Sequence, residues 1–424
     1  TGNITYNRSV TANWHLVSSP VIGQTYNDLW ISENSIISSS SNVNRKGLGV
    51  YNNSVGWQYF LSGESSTFDQ GKGFTILRST AGNLSFTGSI STISKNVTIS
   101  EGSNNAFNLL GNIFTSYMPL NKDADASTNF LSVNANALSE ITVWLWNGNS
   151  YDAINHATSS QFLVPGQAFF VSSKSGTNSV NFTKEMQNHQ TANFLKSKET
   201  KSEITLTIRS EKENRTTTVY YIDGTSIAFD DGFDSSLYTD NSSQFEIYTK
   251  LINEKDERKL AIQSLPKEYS NSIPIGVLLP ANSIVEFSVS SKNIPKDVNI
   301  FLEDKKLDTF TLLENEGNSY TFTSKEKNNY SDRFYLHTLK SALNITDVDL
   351  SAIKIYTANQ KIYFSGLTQS EHLVKIFNLI GKKIVEKTIQ KNENYISTKN
   401  ILKGVYIVTI KTEKGTKRKK IIIQ

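Results

Sequence analysis

The chain has 424 residues, of which 37% are hydrophobic, and this length is enough for about three domains of roughly 150 residues each. It contains no cysteine, which excludes disulfide bonds, cysteine-based metal sites and a cysteine nucleophile. The net charge of +4 is too small to indicate a nucleic-acid partner. Seven prolines and two methionines among many Ser, Thr, Asn, Tyr and Ile residues are typical of strand-rich secreted proteins. We therefore predict an all-β fold.

The sequence was also searched for membrane-spanning and targeting segments. No apolar run approaches the roughly 20 residues that a membrane-spanning helix needs. The first residue is Thr1, and no charged start with an apolar core precedes the first strand. We expect that a signal peptide, a pro-segment or further domains stood upstream.

Residues 1–190 contain an internal duplication, with repeats at about 10–90 and 103–185. Gly71 matches Gly166 and Phe74 matches Phe169, with the same offset in both pairs. Turn pairs flanked by aromatic or β-branched residues predict short strands and hairpins. The recurring blocks, in chain order, are "NWHLVSSP" with "AFNLLGNIF", "GVYNNSVGW" with "WLWNGNSY", "FDQGKGFTI" with "FLVPGQAFFV", and "LSFTG" with "VNFTK".

Two polar segments divide the rest of the chain. Residues 187–201 read as a linker, and alternating strands at 202–338 favour a β-sandwich. Residues 340–352 form a second linker, and 353–424 contain hairpins with turns at Gly381 and Gly415. We therefore predict three successive β-sandwich-like domains, of which the first is duplicated and the last is small.

The C-terminal domain carries three ordered motifs: "VKIFNLIGKKIVEKTI", "LKGVYIVTI" and "KRKKIIIQ". They resemble the type A, Ig-like C-terminal sorting domain (Por secretion tail family) of type IX secretion substrates in Bacteroidota. In that family a Gly-Lys hairpin follows an F/Y-N strand, and a lysine-flanked apolar strand ends the chain. "YTANQK" at Tyr356 departs from the family's Asn-Gly turn. The residues that fit the sorting-signal motif are Asn378, Gly381, Lys382, Gly404, Val405, Tyr406, Lys419 and Lys420.

This resemblance implies a protein that passes through the periplasm and becomes secreted or exposed on the outer-membrane surface. Its partners would be the outer-membrane translocon, a shuttle barrel protein and a surface sortase, with lipopolysaccharide as an optional anchor. The sortase would cut within 340–352, where an extended chain suits a protease. The earlier domains resemble C-terminal regions of large flavobacterial surface proteins through "WHLVSSP", "PGQAFFV" and "DRFYLHT". This second resemblance implies the end of a long surface protein and no particular activity, and our hypothesis is that this larger protein is adhesin-like.

The basic C-terminus has two compatible interpretations. Residues 401–424 carry seven basic side chains against one acidic side chain, Glu413. Lysines on an edge strand prevent aggregation in many proteins. The resemblance adds a second role, in which the exposed edge and its charges dock on the export machinery.

The sequence offers little support for catalysis. The five histidines are scattered without an HExxH spacing, and no GxSxG motif occurs. No phosphate loop occurs: "DQGKGFT" contains Gly-Lys-Gly, but the second repeat has Gln167 in place of Lys72, which favours a turn. We expect no enzymatic activity and no cofactor, although an enzyme upstream of Thr1 remains an alternative.

Calcium is the best metal hypothesis, because this ion takes several carboxylate oxygens from one loop. The candidate ligands are Asp223, Asp230, Asp231 and Asp234, with Asp240 nearby. Their spacing does not fit an EF-hand. The alternative is that these carboxylates bond their own backbone around Gly224 and Gly232.

All five tryptophans lie in the duplicated domain, which leaves two interpretations. They are either core residues at repeated strand positions or exposed aromatic faces of a glycan site. We expect Trp144 and Trp146 on opposite strand faces, with one exposed. A glycan site would make the chain a carbohydrate-binding accessory region of a larger secreted enzyme.

Overall fold

The chain folds into two compact units, Thr1–Ser341 and Ala342–Gln424, in a computed structural model. The described residues are 2–189, 201–238, 243–252, 257–269, 271–307, 309–313, 317–340, 353–365, 367, 371–378, 382–390, 393, 395–412 and 415–423. Strands dominate, which confirms the all-β prediction. The described helices have three to six residues, and none of them is long and apolar enough to span a membrane.

The two repeats of the first unit contain corresponding elements. The first repeat comprises β1 (Ile4–Val10), β2 (Trp14–Val17), β3 (Val21–Ile22), β4 (Thr25–Tyr26), α1 (Asp28–Glu33), β5 (Arg45–Asn52), β6 (Gly56–Leu61), β7 (Ser66–Thr67), β8 (Phe74–Leu77) and β9 (Gly82–Ile90). The second comprises β10 (Lys95–Ser100), β11 (Phe107–Gly111), β12 (Met118–Pro119), α2 (Phe130–Asn134), β13 (Val143–Trp146), β14 (Tyr151–Ile154), β15 (Phe162–Leu163), β16 (Ala168–Ser172) and β17 (Thr177–Phe182), followed by the 3-10 turn Lys184–Met186.

The central sheets of the two repeats have the same strand order, β2-β8-β5-β6 and β11-β16-β13-β14. Val17 pairs with Phe74 in the first sheet, and Leu110 pairs with Phe169 at the corresponding place in the second. The inward apolar side chains of each repeat form a separate core. Each repeat is therefore a structural copy of the other.

The repeats contact each other through reciprocal backbone bonds. Ser18 N donates to Gly166 O, and Gly111 N donates to Gly71 O, both at 3.0 Å. Such an exchange of equivalent partners is the pattern of a two-fold interface. Gly71 and Gly166 both have positive φ, +90° and +72°, which an L side chain rarely adopts. The "DQGKGF" segment thus serves a turn and an inter-repeat contact.

Residues 202–340 form one curled sheet. Its strands are β18 (Ser202–Arg209), β19 (Asn214–Tyr221), β20 (Ser235–Ser236), β21 (Glu246–Thr249), β22 (Leu260–Leu265), β23 (Ser272–Leu279), β24 (Ile284–Lys292), β25 (Val298–Asp304), β26 (Thr309–Leu313), β27 (Tyr320–Thr323) and β28 (Asn328–Lys340). The order is β26-β25-β28-β23-β21-β22-β19-β18-β24-β27, and β20 pairs with β22. The strands expected as two sheets of a sandwich thus belong to one continuous sheet around a single core.

A buried ion pair joins strands of this sheet. The Asp304 side chain is 0% exposed, and Arg333 donates to its two oxygens at 2.8 and 2.6 Å. Tyr320, on the opposite terminal strand β27, also donates to it at 2.6 Å. Burial raises the pKa of Asp304, but the hydrogen bonds from Arg333 and Tyr320 outweigh burial and bring the pKa below its ordinary value. The Tyr320–Asp304 hydrogen bond therefore links the two end regions of the curled sheet.

The second repeat packs against the curled sheet through an aromatic cluster, hereafter the seam cluster. The seam cluster includes Trp144 and Phe170 of the second repeat, together with Tyr220 and Tyr238 from residues 202–238. Hydrogen bonds surround the cluster, including Trp144 Nε1 to Ser236 O at 3.0 Å. The predicted linker at 187–201 therefore connects two parts of one compact unit, and its residues 190–200 lie outside the described residues.

The second unit is a small two-sheet structure. Its strands are β29 (Lys354–Ala358), β30 (Lys361–Ser365), β31 (Glu371–Asn378), β32 (Lys383–Gln390), β33 (Tyr395–Ser397), β34 (Gly404–Thr412) and β35 (Gly415–Ile423). They form the sheets β29-β30-β33 and β32-β31-β34-β35 around one apolar core. Asn359 and Gln360 join β29 to β30 with φ of 49° and 55°, the left-handed pair that a type I′ turn requires. The first hairpin thus forms without the Asn-Gly turn. The predicted linker residues 341–352 lie outside the described residues.

Candidate functional site

The sorting-signal residues converge at one end of the four-stranded sheet of the second unit. Asn378 of β31 pairs with Tyr406 of β34, and Tyr406 pairs with Ile421 of β35. Asn378 also closes the turn toward β32, because its Oδ1 accepts from Lys382 N at 2.9 Å. Gly381 lies outside the described residues. Motifs separated in the sequence therefore form one continuous row.

The Gly-Val-Tyr motif has a local structural cause. Gly404 has φ of +157°, which L residues avoid. Two residues later the Tyr406 hydroxyl donates to Leu402 O at 2.8 Å, and its ring is buried. This tyrosine-to-upstream-backbone bond is similar to the tyrosine corner of immunoglobulin-like folds. The motif therefore fixes the start of β34, while Val405 faces outward opposite Ile422.

The last strand, β35, lies at the edge of the described sheet, and the exposure of its isoleucine side chains alternates along the strand. Ile421 and Ile423 are each 5% exposed and belong to the core, whereas Ile422 is 58% exposed. Lys419 and Lys420 are exposed and lie opposite Val408 and Ile407. The Ile422 carbonyl accepts a hydrogen bond from Thr357 at 3.2 Å. The edge therefore combines a buried anchor with an exposed basic surface.

The charges of the sheet differ between its two edges. On β31 and β32, Lys375 and Lys383 bond Glu386, and the hydrogen bonds from Lys383 and Lys375 lower the pKa of that carboxyl. On β35, no described residue forms an ion pair with Lys419 or Lys420. Lysines on β31 and β32 therefore share a carboxylate partner, whereas Lys419 and Lys420 on β35 have no ion-pair partner among the described residues.

The aspartates proposed as calcium ligands lie in the first unit, near the seam. Asp231 Oδ1 accepts from Ile141 N at 2.7 Å, and Asp230 accepts from Ser226 N at 2.5 Å. Asp223 pairs with Lys267 at 2.9 Å. Within the described residues no group of three or more acidic or histidine side chains is arranged to hold a metal, and Asp240 lies outside them. The loop mainly bonds backbone amides and the second repeat.

Asp234 is the buried member of these four aspartates. It is fully buried, and burial raises its pKa to about 7. Its two oxygens accept backbone amides, from Asp230 N at 2.7 Å and Ser264 N at 2.5 Å. Asp234 therefore ties the acidic loop to β22.

Both candidate glycan tryptophans face the seam cluster. Trp144 is 1% exposed, and Trp146 is partly exposed and packs against the same cluster. The prediction that they lie on opposite faces is wrong, because residues two apart in a strand share a face. Trp146 borders a groove of about 540 Å³, which also contains Glu213 and Arg215. Sequence reasoning missed these two residues, because they are distant from Trp146 in the sequence and no motif connects them with it.

Comparison with known families gives a match for the second unit and one for part of the first unit. Residues 352–424 match the model of the secretion system C-terminal sorting domain. Residues 147–337 match a domain of unknown function, DUF8693. No curated protein matches the chain.

Together with the motif geometry, the match at 352–424 defines a protein with a secretion sorting domain. The chain is a type IX secretion substrate, which is delivered to the cell surface or the extracellular space through interaction of this domain with the secretion machinery.

Proposed function

We propose that the outer-membrane translocon recognises the end of the four-stranded sheet where Asn378, Tyr406 and β35 meet. An edge strand offers backbone groups for pairing with another chain. The exposed Lys419 and Lys420 add positive charge that is not neutralised by described residues. Such charge complementarity governs specificity and association rate. The single observation that carries this proposal is the convergence of separate motifs at that end of the sheet.

The proposal extends to later steps of export in a Bacteroidota cell. A shuttle barrel protein receives the chain, and a surface sortase cuts within 340–352 and joins the cargo to lipopolysaccharide. Residues 1–340 then act as a non-enzymatic, adhesin-like surface region. This role is supported by Asp230, Asp231 and Asp234, whose carboxylates accept backbone amides, and by the groove beside Trp146.

Charge reversal tests the recognition step. We expect the double variant Lys419→Glu and Lys420→Glu to lower export on the order of tenfold, because it replaces attraction with repulsion. The control is Lys411→Glu, an exposed lysine at the far end of neighbouring β34. Both should change the free energy of unfolding by no more than about 0.5 kcal/mol. Equal export of the double variant and the wild type would contradict recognition through these lysines.

A transfer experiment tests sufficiency. Residues 341–424 fused to a folded reporter should carry it to the surface of a type IX-competent cell. The matched control lacks residues 417–424, and thus most of β35, and should stay in the periplasm. If both reporters reached the surface, the last strand would not be part of the signal.

A further inference from the structure

The groove beside Trp146 lies between the β13–β14 hairpin of the second repeat and strands β19 and β22 of the curled sheet. Its volume of about 540 Å³ falls in the range of small-molecule sites, roughly 300–1,000 Å³. Both walls belong to the compact unit Thr1–Ser341 and are fixed to each other by the seam cluster. The groove is therefore formed before any ligand arrives, which reduces the entropy cost of binding.

One wall is aromatic. The rings of Trp146 and Tyr151 lie 5.0 Å apart, and Tyr151 lies 4.3 Å from Tyr238. Trp146 Nε1 donates to Trp14 O at 2.9 Å, which fixes the indole orientation. Trp146 and Tyr151 are both partly exposed. They offer a rigid apolar surface at low conformational cost.

The other wall is polar and charged. Arg215 pairs with Glu213 at 3.0 Å and lies 3.8 Å from Glu246. Its side chain is 11% exposed, and its Nε has no hydrogen-bond partner among the described residues. On the hairpin side, exposed Asp152 accepts from Asn147 Nδ2 at 2.8 Å. The groove thus holds oriented donors and acceptors on the curled-sheet wall and, at Asp152, a carboxylate on the same hairpin as Trp146 and Tyr151.

This combination fits one class of ligand. A sugar ring presents C–H groups on one face, which pack on aromatic rings, and hydroxyls at its rim, which bond carboxylates and guanidinium groups. Three carboxylates, Asp152, Glu213 and Glu246, against one guanidinium make the groove unfavourable for anions. We infer that the groove binds a neutral oligosaccharide. This inference deepens the proposed surface role of residues 1–340 and rests on it only for its biological setting.

The test is binding of the purified full chain to an array of neutral and acidic oligosaccharides. We expect neutral glycans to bind, and we expect Trp146→Ala to weaken binding at least tenfold. The matched control is Tyr51→Ala, because Tyr51 occupies the corresponding place in the first repeat, packs against the same seam cluster and does not line this groove. It should keep wild-type affinity. Since the assay is done in vitro, its result is independent of export.

A second variant distinguishes the loss of a ligand contact from misfolding. Asp152→Asn keeps the carbonyl that accepts from Asn147 and removes the charge that a sugar hydroxyl would bond, so affinity should fall at least threefold with an unchanged melting temperature. The inference is overturned if the folded wild type binds no neutral glycan, if it prefers acidic glycans or peptides, or if Tyr51→Ala weakens binding as much as Trp146→Ala.

Discussion

Replacing Ile421 and Ile423 together by alanine should unfold the sorting domain and abolish export. Both side chains are 5% exposed and lie in its core, and a buried Ile→Ala change costs about 2–5 kcal/mol. The pair therefore loses roughly 4–10 kcal/mol. A domain of this size has a total stability of roughly 4–11 kcal/mol. The loss is comparable with the whole stability, so a large fraction of the domain should be unfolded.

The intervening residue supplies the control. Ile422 lies in the same strand but is 58% exposed, so Ile422→Ala should cost no more than about 0.5 kcal/mol and leave export unchanged. Hydrogen exchange of peptides from 353–423 and of peptides from the first unit reports on each unit separately. Export is measured as the surface fraction of the chain. Persistent protection of 353–423 in the double variant, or its loss in Ile422→Ala, would refute this assignment of inward and outward side chains.

Three further outcomes are expected. Arg333→Met should lower the free energy of unfolding of the first unit by about 3–5 kcal/mol at neutral pH, because the buried Asp304 carboxylate loses both guanidinium bonds. Since Asp304 has a lowered pKa, the wild-type advantage should shrink as the pH falls below about 4; denaturant titration at several pH values measures both effects, and a loss under about 1 kcal/mol would argue against the pair. Gln360→Gly should stabilise the sorting domain by about 1 kcal/mol, because glycine adopts the positive φ without strain; an unchanged or lower melting temperature would contradict this. Calcium or EDTA should leave the melting temperature unchanged, because Asp230, Asp231 and Asp234 accept backbone amides; a calcium-dependent rise would support the metal hypothesis instead.

Local alternation predicted the β class and the motif strands of the sorting domain. The "GVYIVTI" segment, for example, lies wholly in β34, because its inward residues alternate with outward residues in the pattern of a half-buried strand. The recurring blocks around Phe74 and Phe169 occupy equivalent strands in sheets of equal order. Local sequence pattern is therefore sufficient to predict a strand. In the first unit, the duplication also indicates that matching strands have matching neighbours.

Pairing between strands that are distant in the sequence could not be predicted from local hydrophobic alternation. β19 pairs in parallel with β22, and Tyr320 reaches Asp304 across the ends of one sheet; alternation shows which face is buried but not which strand is adjacent. The groove was missed for the same reason, since Trp146 and Arg215 come together only through the seam. The error on Trp144 and Trp146 was different, because the two-residue period of a strand already places both on one face.

The seam cluster has a practical consequence for dissecting this protein. Scission of the backbone between residues 190 and 200 would leave Phe170 on one fragment and Tyr238 on the other, still stacked 5.1 Å apart. The fragments should therefore copurify as a non-covalent complex. Expressed singly, each would present a bare aromatic surface to water and would tend to precipitate.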